Sequence, residues 1–155
     1  MSATDPERTL EISRFESMMN AMKIEIITPG DDEYKDLDAR LVAFNTSNTD
    51  WDADVFVVIV RSPDGILVGG TRSVVRMGAA EVRALWLDED QRGLGLGKQI
   101  MRRVEAEVAE RGAKRVLLDT YSFQARDFYN QLGYECFGTF NYPNGVQRYY
   151  MSKNL

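Results

Sequence analysis

The sequence predicts an α/β (α+β) fold in a single domain, with a mixed, twisted sheet of about seven strands flanked by helices. Three observations predict it. Runs of β-branched and aromatic residues alternate with segments whose apolar residues recur every three or four positions, in the order β-α-β-β-β-α-β-α-β-β. The chain has 155 residues, 44% hydrophobic and 28% charged, which is the size and usage of one folded globular domain. No internal repeat or low-complexity stretch interrupts it.

Each element has a local cause. Met1 to Ala21 reads as an appendage, a short helix or a floppy leader, with Thr4-Asp5-Pro6 as its helix start. Lys23 to Thr28 reads as a strand stopped by Pro29-Gly30. Asp31 can cap a helix that lines up Tyr34, Leu37, Leu41 and Phe44. The polar run Asn45 to Asp50 is expected to be a loop. Val55 to Val60, continuously β-branched or aromatic, has the pattern of a strand covered on both faces. Ser62-Pro63-Asp64-Gly65 is a turn, Ile66 to Val75 the return strand, Met77-Gly78 a break, and Ala80 to Leu87 a further strand. A helix with Leu96, Ile100, Val104 and Val108 on one stripe closes at Gly112. Val116 to Thr120 is a buried strand and Phe123 to Leu132 a helix ended by Gly133. Tyr134 to Phe140 and Val146 to Met151 form a hairpin around Pro143-Asn144-Gly145.

Composition restricts the chemistry. A net charge of −5 and a pI of about 4.8 do not supply the basic footprint of a nucleic-acid binder. No apolar run approaches the eighteen or so residues of a membrane span. The first residues carry charges where a signal peptide would be apolar, so a cytoplasmic location is expected. With Cys136 as the one cysteine and no histidine, a disulfide framework, histidine triads and histidine metal sites are excluded. Cys136 reads as a buried structural thiol. Catalysis would have to use carboxylates, tyrosines, hydroxyls, amines and backbone groups.

The most informative segment is Arg92-Gly93-Leu94-Gly95-Leu96-Gly97-Lys98, between a strand and a helix. Glycines let the main chain approach an anion, and the first amides of the helix add positive potential. From Arg92 to Arg103 there are four basic residues, Arg92, Lys98, Arg102 and Arg103, and no acidic one. Two familiar phosphate loops are not matched: Ile100 stands where GxGxxG needs glycine, and Arg92 and Gln99 break GxxxxGK[ST].

Arg92-Gly93-Leu94-Gly95-Leu96-Gly97 resembles the R-x-x-G-x-G motif of the GNAT N-acetyltransferase superfamily. Downstream, Ala125-Arg126-Asp127-Phe128-Tyr129 and Leu132-Gly133-Tyr134 are similar to that family's A-x-x-F-Y helix ending in L-G-F/Y. The two blocks stand in the family's order with one strand between them, and the resemblance, to a bacterial small-molecule-type subgroup, covers roughly Met22 to Leu155.

The resemblance implies residues 1–21 as an N-terminal extension, and 22–155 as an N-acetyltransferase domain with a GNAT-like fold. It implies transfer of the acetyl group of acetyl-CoA to a primary amine by direct attack in a ternary complex. A non-catalytic acyl-CoA-binding module on the same fold is the alternative. Pyrophosphate would rest on the amides from Leu94 to Lys98, with Arg92, Gly93, Gly95, Leu96 and Gly97 shaping that loop. The pantetheine arm would pair with Ala84 to Leu87, beside Val116 to Thr120, with Leu85 and Trp86 as contacts and the Leu87 N–H toward the thioester oxygen. Ser122 stands where many members have Asn, as a contact to the CoA arm or a helix cap, and Ala125 and Phe128 belong to the same binding helix. Tyr129 would protonate the departing thiolate, its alternative being a core aromatic packed on Phe128. Glu81 is the expected base, with Asp119 as the alternative. Alternation would put Glu81 on one face with Arg83, Leu85 and Leu87, where it could instead pair with Arg83. Asn45, Asp50, Trp51 and Asp52, in the loop after the first helix of the domain, with Tyr142 and Tyr150 in the last hairpin, are expected to form an aromatic-acidic pocket for a cationic acceptor, with Asn45, Trp51 and Tyr142 as its contacts; ordinary loop and hairpin packing is the alternative. No metal, nucleic acid or membrane partner is implied, and a homodimer is the expected assembly if there is one.

Overall fold

The structure is a computed structural model that describes residues 6–26 and 30–155. These fall into two compact units, 1–41 and 42–155. The first contains α1, Pro6–Ala21, whose proline stands at the first helical position, where its missing N–H costs nothing. Thr4 and Asp5 of the expected helix start lie outside the described residues. Lys23 to Ile26, expected as a strand, is in no strand, and the rest of that run, Ile27 and Thr28, with Pro29 of the stop, lies outside the described residues. High β propensity makes a strand only where a ladder partner is found.

Helix α2, Asp32–Asn48, runs from the first unit into the second, and longer than its polar end suggested. Asn45 to Asn48 were expected to be loop. Instead Thr46 Oγ1 donates to the Val42 carbonyl at 2.9 Å, and Ser47 Oγ and Asn48 Nδ2 both donate to the Phe44 carbonyl at 2.7 Å. These back-bonds let short polar side chains continue a helical turn.

The remainder is one six-stranded mixed sheet, β1 Asp54–Arg61, β2 Leu67–Arg76, β3 Ala79–Leu87, β4 Arg115–Tyr121, β5 Glu135–Asn141 and β6 Gln147–Asn154, in the order β1-β2-β3-β4-β6-β5. Helix α3, Leu96–Glu110, carries the chain from β3 to the parallel strand β4. Its stripe of Ile100, Met101, Val104 and Val108 is buried against Phe56, Val75, Ala80, Val82, Val116, Leu118 and Met151, one from nearly every strand. Each fully buried aliphatic side chain on this face contributes about 1.5 kcal/mol or more. β1 is an edge strand and receives cover on that face only: Phe56 is buried while Val55, Val57 and Ile59 are exposed, contrary to the two-sided burial its composition suggested. An unbroken apolar run does not distinguish an edge from an inner strand.

Two features position the site. A β-bulge sets Ser73 opposite Val82 and Arg72 opposite Ala84, leaving Arg83 without a partner. Glu81 therefore shares a face with Ala84 and Trp86, and Leu85 and Leu87 turn to the helix-covered face with Val82. The simple alternation predicted for Glu81, Arg83, Leu85 and Leu87 fails at that one residue. The second feature is the pairing of β3 with β4, which covers only Ala79 to Val82 against Arg115 to Leu118. Beyond it the two parallel strands diverge. The last helix, α4, is shorter than predicted, Arg126–Gln131. Gln124 explains the late start: its Oε1 accepts the Tyr121 N–H at 2.9 Å and its own N–H donates to the Tyr121 carbonyl, holding Tyr121 to Gln124 as a turn.

Candidate active site

The divergence of β3 from β4 opens a groove of about 1030 Å³. Its walls are the edge of β3 from Val82 to Leu87, unpaired with β4 from Arg83 onward, the end of β4 from Asp119 to Tyr121, the start of α3, and α4.

At one end lies the glycine segment. Gly93 and Gly95 take left-handed backbone conformations, with φ of 76° and 82°, and Gly95 caps α3. A residue with a Cβ would be strained there. The Gln99 N–H is the first in the helix to find a carbonyl, that of Gly95 at 3.2 Å. The amides of Leu96, Gly97 and Lys98 ahead of it donate to no acceptor among the described residues, the ordinary condition of a helix start. Gly97 serves a different need: a Cβ there would stand 3.2 Å from the Phe128 ring, so glycine lets α4 close against the start of α3. Arg92 organises the approach. Its Nε donates to the Leu87 carbonyl at 3.0 Å and its guanidinium covers the Trp86 ring at 4.9 Å.

Tyr129 stands in the same groove, 7% exposed, edge-on to Phe128 at 5.0 Å and to Tyr134 at 5.8 Å between ring centroids. Its hydroxyl makes no hydrogen bond among the described residues. Burial, and secondarily the charge of Asp119, push its phenol up from 10 to about 12. It is therefore a neutral O–H donor throughout the physiological range. Tyr134 is raised further by burial and by Glu105, to which its hydroxyl donates at 3.2 Å.

Of the other residues singled out in the sequence, the groove takes Leu85, Trp86, Leu87, Arg92, Gly93, Gly95, Gly97, Lys98, Ala125 and Phe128. Leu94 is exposed, and neither it nor Leu96 lines the groove. Ser122 is turned to β6, with its N–H donating to the Gln147 carbonyl at 2.8 Å and its Oγ accepting the Gln147 N–H at 3.2 Å. It ties strands together and does not cap α4. Glu81 also lies off the groove, paired with Arg83 at 2.7 Å. Asp119 reaches the groove but accepts two bonds from Arg148, from Nε at 2.8 Å and Nη2 at 2.7 Å. That contact raises the Arg148 guanidinium above its usual value. Asn45 and Trp51 do not line the groove, and the Trp51 ring is covered by the Arg76 guanidinium at 4.2 Å. Tyr142 packs beside Tyr121 at 6.1 Å. Asp119 is expected only as an alternative base; the sequence assigns Tyr121, Phe123 and Gln124 no role, and only their position at and just past the end of β4, where β3 has parted from it, marks them.

The sequence profile described as "Acetyltransferase (GNAT) family" matches residues 19–134. A blasticidin-S acetyltransferase of Streptomyces morookaense is 32% identical over 104 residues, 66% of this chain and 76% of the relative. Among solved structures, an acetyltransferase from Bacillus cereus superposes with a TM-score of 0.76 at 27% identity, covering 86% of this chain and 98% of that one. A Bacillus anthracis protein described as a "putative streptothricin acetyltransferase", solved in complex with acetyl coenzyme A, shares the fold with a TM-score of 0.60 at 16% identity, over 66% of this chain and 63% of that one.

Proposed function

From the premise that the chain belongs to the GNAT acetyltransferase family, we propose that it transfers an acetyl group from acetyl-CoA to a primary amine on a small molecule, by direct attack in a ternary complex. One observation carries the reading: the amides of Gly97 and Lys98 at a helix start and the buried phenol of Tyr129, all without a hydrogen-bond partner among the described residues, share a groove formed where two parallel strands part.

The residues fit the coenzyme. The open amides of Leu96 to Lys98, with no side chain at Gly93 or Gly95 to cover them, suit a diphosphate. The unpaired edge of β3 from Ala84 to Leu87 suits the amides of pantetheine, with Leu85, Trp86, Ala125 and Phe128 as apolar contacts. Bound there, acetyl-CoA would supply a thioester and a sulfur leaving group. In this reading the Leu87 N–H faces the thioester oxygen, the acceptor nitrogen attacks the carbonyl carbon, the C–S bond breaks, and the Tyr129 O–H gives its proton to the departing sulfur. The proton lost by the amine passes to Glu81 through water, or to solvent. Tyr142, beside Tyr121, is the proposed acceptor contact; Asn45 and Trp51 lie off the groove and are not proposed for it. The reading places the reaction in the cytoplasm; among the described residues no helix is long and apolar enough to cross a membrane.

The test is release of free thiol from acetyl-CoA across a panel of small amines, run beside a melting experiment with acetyl-CoA. Amine-dependent release upholds the reading. Stabilisation by acetyl-CoA with no release from any amine would reduce the protein to a binder, and absence of both would remove the coenzyme.

A further inference from the structure

The groove opens at its Asp119 end onto a patch of rings that neither the coenzyme reading nor the core uses. Tyr121 and Phe123 lie nearly parallel, 16° between planes and 5.4 Å between centroids, and both line the groove. Tyr142 continues the patch beside Tyr121, and Phe140 meets Tyr142 edge-on at 4.9 Å. Phe123 is 71% exposed and Phe140 52% exposed. The stacked pair thus ends in a bare ring face at the mouth of the groove.

The charges around this patch decide what it can receive. Ring faces attract cations by themselves, but a polycation at this patch would also meet the Arg148 guanidinium, which already lies over the Tyr121 ring. Here Asp119 is held by two bonds from Arg148, and that guanidinium also lies over the Tyr121 ring at 5.6 Å. Glu81, on the same sheet face, is bonded to Arg83. The patch therefore offers stacking surface and phenolic hydroxyls with its charges already matched. An additional planar ring could extend the existing stack at a centroid spacing like that between Tyr121 and Phe123.

We propose that the acceptor carries its amine on a planar ring system that stacks on the open face of Phe123, and that the site discriminates against flexible polycationic amines. This rests on the acetyltransferase reading and narrows its substrate class.

The experiment compares tryptamine and tyramine with n-butylamine and spermidine as acceptors, by thiol release, in wild type and in Phe123→Ala and Phe123→Trp. Phe123 is largely solvent-exposed, so its truncation should not disturb folding. The ring-bearing amines should exceed n-butylamine in kcat/KM by about tenfold, the worth of one good stacking contact. Phe123→Ala should abolish that preference, read as the ratio of kcat/KM for the ring-bearing amines to that for n-butylamine within each protein, chiefly through KM of the ring-bearing amines, and Phe123→Trp should keep the ratio. Equal use of spermidine, or equal losses for all four amines, would overturn the proposal while leaving acetyl transfer intact. Saturation-transfer NMR reads the same contrast without turnover. Saturation of tyramine ring protons by the wild type, lost in Phe123→Ala, supports the stack, and signals that are absent in wild type or equal in the two proteins count against it.

Discussion

At the residue scale the chemistry of the groove depends on which groups have hydrogen-bond partners. Tyr129 has a buried ring and a free hydroxyl, whereas Tyr134 beside it is bonded to Glu105. Packing alone would be served equally by phenylalanine. Tyr129→Phe is therefore expected to lower kcat about a hundredfold while the melting shift with acetyl-CoA persists; unchanged kcat would make the tyrosine a packing residue. The same phenol sets an alkaline signature. The unfolded chain gives up this proton near pH 10 and the folded protein holds it to about 12, so the stabilisation is full below pH 10 and is lost as pH climbs between those values. Two units correspond to about 2–3 kcal/mol, so urea midpoints should fall across this window and fall less in Tyr129→Phe. Identical profiles would contradict the burial of the ionisable group. For Glu81, replacement by Gln should cost about a hundredfold in kcat at neutral pH if it takes the amine proton. A neutral outcome would leave it only the ion pair with Arg83.

At the scale of elements, the bulge at Arg83 and the short pairing of β3 with β4 make the groove, and the start of α3 equips it. Gly95 joins these functions, since its left-handed backbone directs the following amides into open space. Gly95→Ala should cost about 1–2 kcal/mol in denaturant unfolding, from backbone strain alone, because a Cβ there meets nothing within 4 Å. It should also raise the KM for acetyl-CoA. A fully stable variant would mean that the turn relaxes without penalty. The helix signals were legible because they are local: the stripe of α3, its glycine cap and the left-handed Gly112 beyond its end follow from spacing within one segment. The extra turn of α2 was not, because the back-bonds of Thr46, Ser47 and Asn48 compete with a loop that the same side chains also favour.

For the molecule as a whole, a groove that crosses the sheet implies that ligand binding is felt by the entire 42–155 unit. If acetyl-CoA binds the folded protein alone, a concentration of one hundred times Kd adds about 2.7 kcal/mol. In a domain of this size that raises Tm by roughly 5–10 °C. A flat melting temperature at millimolar acetyl-CoA would contradict the proposed site. The opposing charges also act at this scale. Although the chain carries a net −5, the one carboxylate that lines the groove among the described residues, Asp119, is bonded to Arg148, so overall acidity is a poor guide to the charge an acceptor meets.

By itself the sequence determined the order of helices and strands from β1 onward, the glycine segment at a helix start, and the Phe128-Tyr129 pair. Each depends on neighbours a few residues away, through side-chain period or a required backbone angle. Tertiary structure alone decided that Arg83 is passed over in the ladder, that Ser122 bonds to Gln147, that Asp119 is held by Arg148, and that Phe123 is left open. Those outcomes depend on which distant strand arrives opposite, and on the register in which it pairs. No local pattern encodes that choice, because a single unmatched residue reverses the face of every side chain after it.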